Sequence, residues 1–400
     1  MLRQKSIVWA LFVAWAGTAC KEKLTAPADC PGQCPGGEVV LDTVLAPLQD
    51  QDSSFSGYVR NGQGTSLRIS DQLPASEDRA VFRFLDRPDV VPVPGDSSFP
   101  YTVDSVRFEF SLLARDTAVK SLGLFLYRLR ALPDSTVTFA PVEDSLITAN
   151  LIDSLLVPDT VATGRLRVVV SGAALSQLDL SGAPTRELGL GLKIQAASPT
   201  GIRIASNLNL SLAPQFITFV TAATPDTASR HRTITRGSAF STFVSQTAPV
   251  LDDTLLTVGG APSARALLRF VLPPKIRDSA ILVRATLELI PVAPVQGLPN
   301  DPGQLEARAV LADFGIKSAL SSTGVGDVAI SDGLADTLRV EVVGVVRSWQ
   351  GTDPFPAAIA LLLNPEGSSF SRAVFGSTRS AAAQPRLRIT YTLPFSFERP

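Results

Sequence analysis

Acid–base and nucleophilic chemistry need residues that this chain scarcely has. Its 400 residues include one histidine, His231, and three cysteines. His231 stands between Arg230 and Arg232 in a Thr-, Ala- and Ser-rich stretch, which reads as a solvated linker. A serine triad therefore lacks its base, and neither Gly367-Ser368-Ser369 nor Gly376-Ser377-Thr378 forms a nucleophile elbow. No Gly-rich loop follows a strand and opens a helix to cradle phosphate. The 37 acidic residues offer many carboxylate pairs and single out none for glycosidase work. Asp50, Asp52, Asp252 and Asp253 carry oxygens that suit calcium, but no regular D-x-D-x-D-G loop frames them. They read as solvated turn aspartates, and no cofactor is expected beyond a structural calcium that these residues allow without indicating.

Ligand recognition without catalysis has better material. Trp349 offers an aromatic face of the kind that stacks on the C–H surface of a pyranose ring. It follows Val342-Val343-Gly344-Val345-Val346, where an apolar run meets a polar corner, and that setting favours packing in a core or hinge. Arg83 and Arg269 sit between core-type residues in matching stretches. Such a guanidinium either faces outward, where two parallel hydrogen bonds suit a uronate carboxylate, or pairs with a neighbouring carboxylate in the framework, the commoner role.

Cys20 carries a different chemistry. Arg3 and Lys5, the apolar run from Ile7 to Ala16 and the small residues Gly17-Thr18-Ala19 precede it in the order of a lipoprotein leader. The stretch resembles a lipobox, with Gly17 in place of the usual leucine. Residues 1–19 are thus expected to be a signal peptide and Cys20 the acylated N-terminus, attaching the chain to a membrane of the cell envelope through lipid. An ordinary secretory leader cut near Ala19 and an N-terminal membrane helix are the competing readings. The apolar run falls short of the roughly 18–20 residues that a spanning helix needs. Lys21, where Asp would hold a protein back, is compatible with outer-membrane sorting, facing the periplasm or the outside. Residues 20–38 read as a Pro/Gly-rich tether. Within it Cys30 and Cys34 are spaced to close a small disulfide loop in an oxidising compartment; two free thiols are the alternative. A zinc site would need ligands that distant His231 cannot complete.

Strands must position whatever site there is. A net charge of −1 in a chain only 18% charged leaves no concentrated basic face, which excludes nucleic acid as a partner. Ser66-Leu67-Arg68-Ile69-Ser70, Ala80-Val81-Phe82-Arg83-Phe84, Ser105-Val106-Arg107-Phe108-Glu109-Phe110 and Gly164-Arg165-Leu166-Arg167-Val168-Val169 alternate with period two. Capped helical patterns are nearly absent, so the expected class is all-β: tandem antiparallel β-sandwich domains, jelly-roll-like. The roughly 380 residues after the leader suit two cores.

The second half echoes the first in order. Ala80 to Leu85 returns as Ala266 to Val271 (270 − 84 = 186), Phe108-Glu109-Phe110 as Leu287-Glu288-Leu289 (offset 179), Leu166-Arg167-Val168 as Leu338-Arg339-Val340 (offset 172) and Pro214-Gln215-Phe216 as Pro385-Arg386-Leu387 (offset 171). Offsets that fall in small steps mean one fold with longer loops in the first copy. The expected domains are residues 39–222 and 236–395, joined across Thr221 to Gly237.

Four stretches of the second copy carry a family resemblance: Arg265 to Phe270, Ala285-Thr286-Leu287-Glu288-Leu289, Val345-Val346-Arg347-Ser348-Trp349, and Gln384 to Tyr391. From Ser238 to Leu393 the chain resembles the DNRLRE domain family, which is similar to carbohydrate-binding module family 96. Copy one matches through Gly57-Tyr58-Val59-Arg60 and Gly64 to Ile69, and has Gln177 where the offset of 172 places Trp349. The resemblance implies secreted β-sandwiches of the kind appended to polysaccharide-degrading or surface proteins. The expected function is a non-enzymatic, lipid-anchored envelope protein that binds polysaccharide or extracellular matrix. The alternative is a structural or assembly protein that contacts other envelope proteins and binds no glycan.

Overall fold

Alternating residues dictate strands, and strands prevail: about half of the chain is β and about 9% helical. The computed structural model describes residues 40–394, apart from 58, 60, 74–76, 94–96, 179–186, 225–229, 247–250 and 352–353. The leader, the tether, Cys20, Cys30 and Cys34 lie outside the described residues.

The first strands are β1 (Val40–Leu45) and β2 (Ser53–Ser56), then β3 (Ser66–Asp71), β4 (Asp78–Phe84), a small ribbon of β5 (Val91–Pro92) and β6 (Ser98–Phe99), β7 (Tyr101–Arg115) and β8 (Gly123–Arg128). β9 (Leu151–Leu156), β10 (Gly164–Ser171), β11 (Leu188–Gln195), β12 (Thr200–Ala205), β13 (Gln215–Ala222) and β14 (His231–Ser245) follow. The second half holds β15 (Leu255–Gly259), β16 (Ala264–Arg269), β17 (Ile281–Leu289), β18 (Gly303–Ala312), β19 (Ala319–Leu320), β20 (Gly326–Ile330), β21 (Leu338–Glu341), β22 (Ala358–Asn364), β23 (Arg372–Gly376) and β24 (Arg386–Thr392). All pairings between named strands are antiparallel. The all-β expectation holds.

Two apolar cores result. The first lies between a sheet built on β7, flanked by β10 on one side and β13 and β12–β3 on the other, and a sheet ordered β14–β4–β11–β8–β9. Phe82, Phe84, Phe108, Phe110 and Phe216 meet at its centre, with Phe108 and Phe216 stacked at 5.1 Å. The second lies between β1–β24–β17–β21 and a sheet built on β18, β22, β16, β15 and β23. Both are sandwich-like, and in the first the two layers are continuous through β14, which pairs with both β13 and β4.

The two strand sets share their registers. β7 sets Glu109 opposite Arg167 of β10 and Gln215 of β13; β17 sets Glu288 opposite Arg339 of β21 and Arg386 of β24. β4 sets Phe82 opposite Leu190 of β11, and β16 sets Leu268 opposite Ile359 of β22. Leu67 of β3 faces Ile204 of β12, as Leu256 of β15 faces Phe375 of β23.

The expected boundaries fail at both edges. β1 pairs with β24 and β2 with β16, so residues 40–56, grouped by sequence with the first domain, complete the second core. Residues 231–237, read as part of a linker, pair with β13, and residues 238–245 then pair with β4 of the first core. The registers coincide here too. Phe216 faces Arg236 as Leu387 faces Leu45, and Val81 faces Thr242 as Leu267 faces Ser53. Each core is thus a body plus a leading segment of the same kind. Body one (66–222) takes 231–245, which follows it in the chain, and body two (255–392) takes 40–56 from the chain's start.

A buried cation ties the cores together. Arg68 of β3 donates to Asp78 and to the carbonyl of Ser369, at 2.8 Å, and its guanidinium lies 4.4 Å from the Phe370 ring centroid. Arg203 meets Asp301 at 2.5 Å. Gly201 admits Phe370 because a Cβ there would stand 2.7 Å from the ring.

Strand pairing predicts where the chain can be cut. A fragment of residues 62–246 keeps every strand of the first core and should melt cooperatively, followed by circular dichroism. Residues 39–223 carry β1 and β2 without their partners and lack β14, so they should not. Equal cooperativity of the two fragments would refute the assignment of β14 to the first core.

Candidate functional site

On β7 the side chains of Phe108 and Phe110 point into the core, so Arg107 and Glu109 occupy the opposite face. β10 alternates likewise, burying Leu166, Val168 and Val170 and turning Arg165 and Arg167 outward. The pairing register brings all three arginines to one acid. The Glu109 carboxylate is 2.9 Å from Arg107 Nε, 2.9 Å from Arg165 Nη1 and 3.2 Å from Arg167 Nε. Glu109 is only 6% exposed while Arg167 is 60% exposed, so the acid sits beneath a layer of guanidiniums. Three positive charges stand against one negative. The Arg107 guanidinium also lies 5.3 Å from the centroid of half-buried Phe219 on β13.

Burial pushes the Glu109 carboxyl up, but the hydrogen bond from Arg165 and the charges of Arg107, Arg165 and Arg167 outweigh it and hold it below the usual range. The acid therefore stays ionised at neutral pH and offsets one of the three cations.

The matching face of the second core has the same plan with more acid. Arg339 lies 3.6 Å from Glu288, and Arg386 stands on the other side of that glutamate. Arg284 pairs with Glu341, and Arg388 lies across from Thr286. With Asp42 on β1, four arginines meet three acids. Val40, Val44, Ile281 and Val283, each at least half exposed, lie on β1 and β17 of the same sheet.

Of the residues singled out from sequence, Trp349 and Arg269 are held in the framework. Trp349 is 2% exposed and stacks on Phe270 at 5.9 Å, so neither ring face is open to a sugar. The helical turn after β10 supplies buried Leu178, next to Gln177, as the first core's counterpart. Arg269 binds Asp313 through two nitrogens, at 2.5 and 2.8 Å, and donates to the carbonyl of Gln51. Arg83 stands 3.9 Å from Glu187. His231 is exposed at the start of β14, with its ring 3.3 Å from the hydroxyl of Thr221. The outer arginines that sequence reading passed over were legible as the polar half of the alternation in Arg107-Phe108-Glu109 and Arg165-Leu166-Arg167.

The four aspartates considered for calcium do converge, on Arg379. Asp52, only 3% exposed, accepts from the backbone N–H and hydroxyl of Thr378, both at 2.7 Å, and lies 3.3 Å from Arg379 Nη1. Asp50 is 3.8 Å from the same nitrogen, the carbonyl of Asp253 accepts from Arg379, and the Arg379 charge helps lower the Asp252 carboxyl, behind its bonds from Thr254. Among the described residues no group of three or more His, Cys, Asp or Glu is set to hold a metal, and no helix is long and apolar enough to cross a membrane.

A cleft of about 510 Å³ opens between the cores, lined by Arg68, Leu73, Thr200, Pro294, Gln296 and Phe370. Its buried cation is already committed to Asp78 and Ser369. The outer arginine face is therefore the stronger candidate. No family model matches the chain and no curated protein matches it, so the DNRLRE-like reading rests on its own motifs.

Two outcomes follow. Trp349→Ala should cost about 3–5 kcal/mol in urea unfolding, the loss expected of a packed core aromatic; an unchanged midpoint would return Trp349 to the surface. The Asp313 carboxyl is lowered by its hydrogen bond from Arg269, and that of Glu341 by its bond from Arg284. With Glu109, these depressed acids contribute stability that is complete above the ordinary carboxyl range and lost as pH falls through their lowered values. Urea midpoints should hold steady down to about pH 5 and decline below about pH 4.

Proposed function

We propose that this chain is a lipid-anchored cell-envelope protein, attached through Cys20, whose outer sheet faces bind acidic polysaccharide or matrix polyanion without catalysis. The observation that carries the reading is the set of three guanidiniums over one sunken carboxylate at Arg107, Arg165, Arg167 and Glu109. A guanidinium fork matches a carboxylate or sulfate through two parallel hydrogen bonds, and Phe219 beside it adds an aromatic surface for the sugar ring. Exposed pairs of this kind are weak singly. A polymer reaches several arginines at once, and a second arginine-bearing face on the same chain raises the effective concentration. The proposal places the anchor in the outer membrane, in keeping with Lys21.

The rival reading, contact with another envelope protein, draws on Val40, Val44, Ile281 and Val283, which give the second face an exposed aliphatic rim.

Retention of the full chain on immobilised alginate and polygalacturonate, at low and high salt, separates the two. Polymer binding should weaken with salt. Arg165→Ala/Arg167→Ala should lower affinity about tenfold, and Glu109→Gln, which removes the competing anion, should raise it. Salt-insensitive retention, or retention indifferent to these substitutions, would overturn the polyanion reading in favour of a protein partner.

A further inference from the structure

Residues 40–56 and 231–245 fill matching places, register for register, yet they are held very differently. Of the segment 231–245, Phe243 enters the first core, and Ile234 and Val244 are buried in two smaller apolar clusters beside it. Of the apolar side chains in 40–56, only Pro47 is buried; Leu41, Leu45 and Phe55 are half-covered. Beside the backbone ladders to β24 and β16, side-chain contacts clustered near the end of the segment hold it in place. Asp52 enters the Thr378 and Arg379 turn, Arg269 holds the carbonyl of Gln51, and the Leu48 N–H donates to the carbonyl of Arg269 at 2.7 Å. Immediately after β2 stands Gly57, at φ +82°, where a Cβ would meet nothing within 4 Å. Glycine crosses to other backbone conformations there without a steric penalty.

We propose that 40–56 is a transferable strand and that its partner is a second copy of this chain, whose second core accepts it along β16 and β24. The acceptor needs no new surface, because those edges already bind this sequence in its own chain. Exchange between chains reproduces the same ladders and the same Asp52 contacts, so the closed and exchanged forms differ mainly in the advantage of a tethered strand over a free one. The backbone supplies the ladder and Asp52 the address, the logic of strand addition to a sheet edge. This association is separate from the polyanion face and stands or falls without it.

Two full-length variants test it by complementation. Asp52→Ala keeps the acceptor and spoils the strand; Arg379→Ala keeps the strand and spoils the acceptor. Only a mixed pair rebuilds one intact Asp52 and Arg379 contact, so coupling between those residues drives hetero-association. Light scattering at matched high concentration should show dimer in the mixture at least about tenfold above either variant alone, a difference of ~1.4 kcal/mol. A labelled peptide of residues 40–56 should bind the Asp52→Ala chain, and the same peptide carrying Asp52→Ala should bind about tenfold more weakly. If either variant fails to fold, Asp52→Asn and Arg379→Lys repeat both arms. A mixture no more dimeric than its components, or a peptide indifferent to residue 52, overturns the proposal.

Discussion

A carboxylate sunk to 3% exposure closes the second core. Asp52 satisfies both oxygens with Thr378 and meets Arg379, and so fixes a segment whose apolar side chains are too shallowly covered to fix themselves. Arg379 is 27% exposed, so the cost of removing it stays below a ceiling of about 3–5 kcal/mol set by fully buried pairs, whose remaining charge is left without compensation. That ceiling is a large share of the roughly 5–15 kcal/mol by which a typical domain is stable. Without the contact, β1 and β2 keep only their ladders and a shallow apolar cover, and the edges of β24 and β16 are uncovered more easily. Open edges invite pairing with other chains, so one local contact bears on both folding and association.

Faces were legible in the sequence and partners were not. Alternation tells which side of a strand is buried, and the echoed apolar positions gave the body strands in the right order, from Phe82 with Leu268 to Phe216 with Leu387. It cannot tell which body a strand joins, because 40–56 and 231–245 carry patterns that fit either. The β14 strand was missed for a related reason. Its first half, His231-Arg232-Thr233-Ile234-Thr235-Arg236, is rich in arginine and threonine, which resembles a solvated linker until the β-branched Thr233, Ile234 and Thr235 are weighed as strand formers. The aspartates read as solvated turn residues, yet Asp52 is buried beside an arginine over 300 positions away, which no local motif could announce.

Recurrence between copies marks framework more readily than function, for a physical reason. A residue kept at the same register of two cores is one that both cores need, and Arg269, gripped by Asp313, fits that role, as do the strand-opening Arg79 and Arg265. Arg79 meets Glu143 and Arg265 grips Glu366, both at the margin of a core. Arg165 and Arg107 have no arginine counterpart at the matching registers. Divergence on a shared frame, with charge added to one copy alone, points more directly to use than repetition does.

Edge protection accounts for part of that charge and leaves a remainder. β10 and β21 each pair with a single neighbour, and a charged outer strand resists unwanted pairing. One or two charges of mixed sign serve that purpose, and the second core's face, with four arginines to three acids, is close to such a balance. Three guanidiniums crowding one carboxylate go further, since the two uncompensated charges repel at short range and weaken the core that carries them. Folding gains nothing from the excess, which a negative ligand would relieve. Residue 40 enters along the outer strand of the second core, beside Thr392. Residue 40 therefore lies on the more neutral of the two faces, and the cationic one belongs to the core that the segment 40–56 does not join.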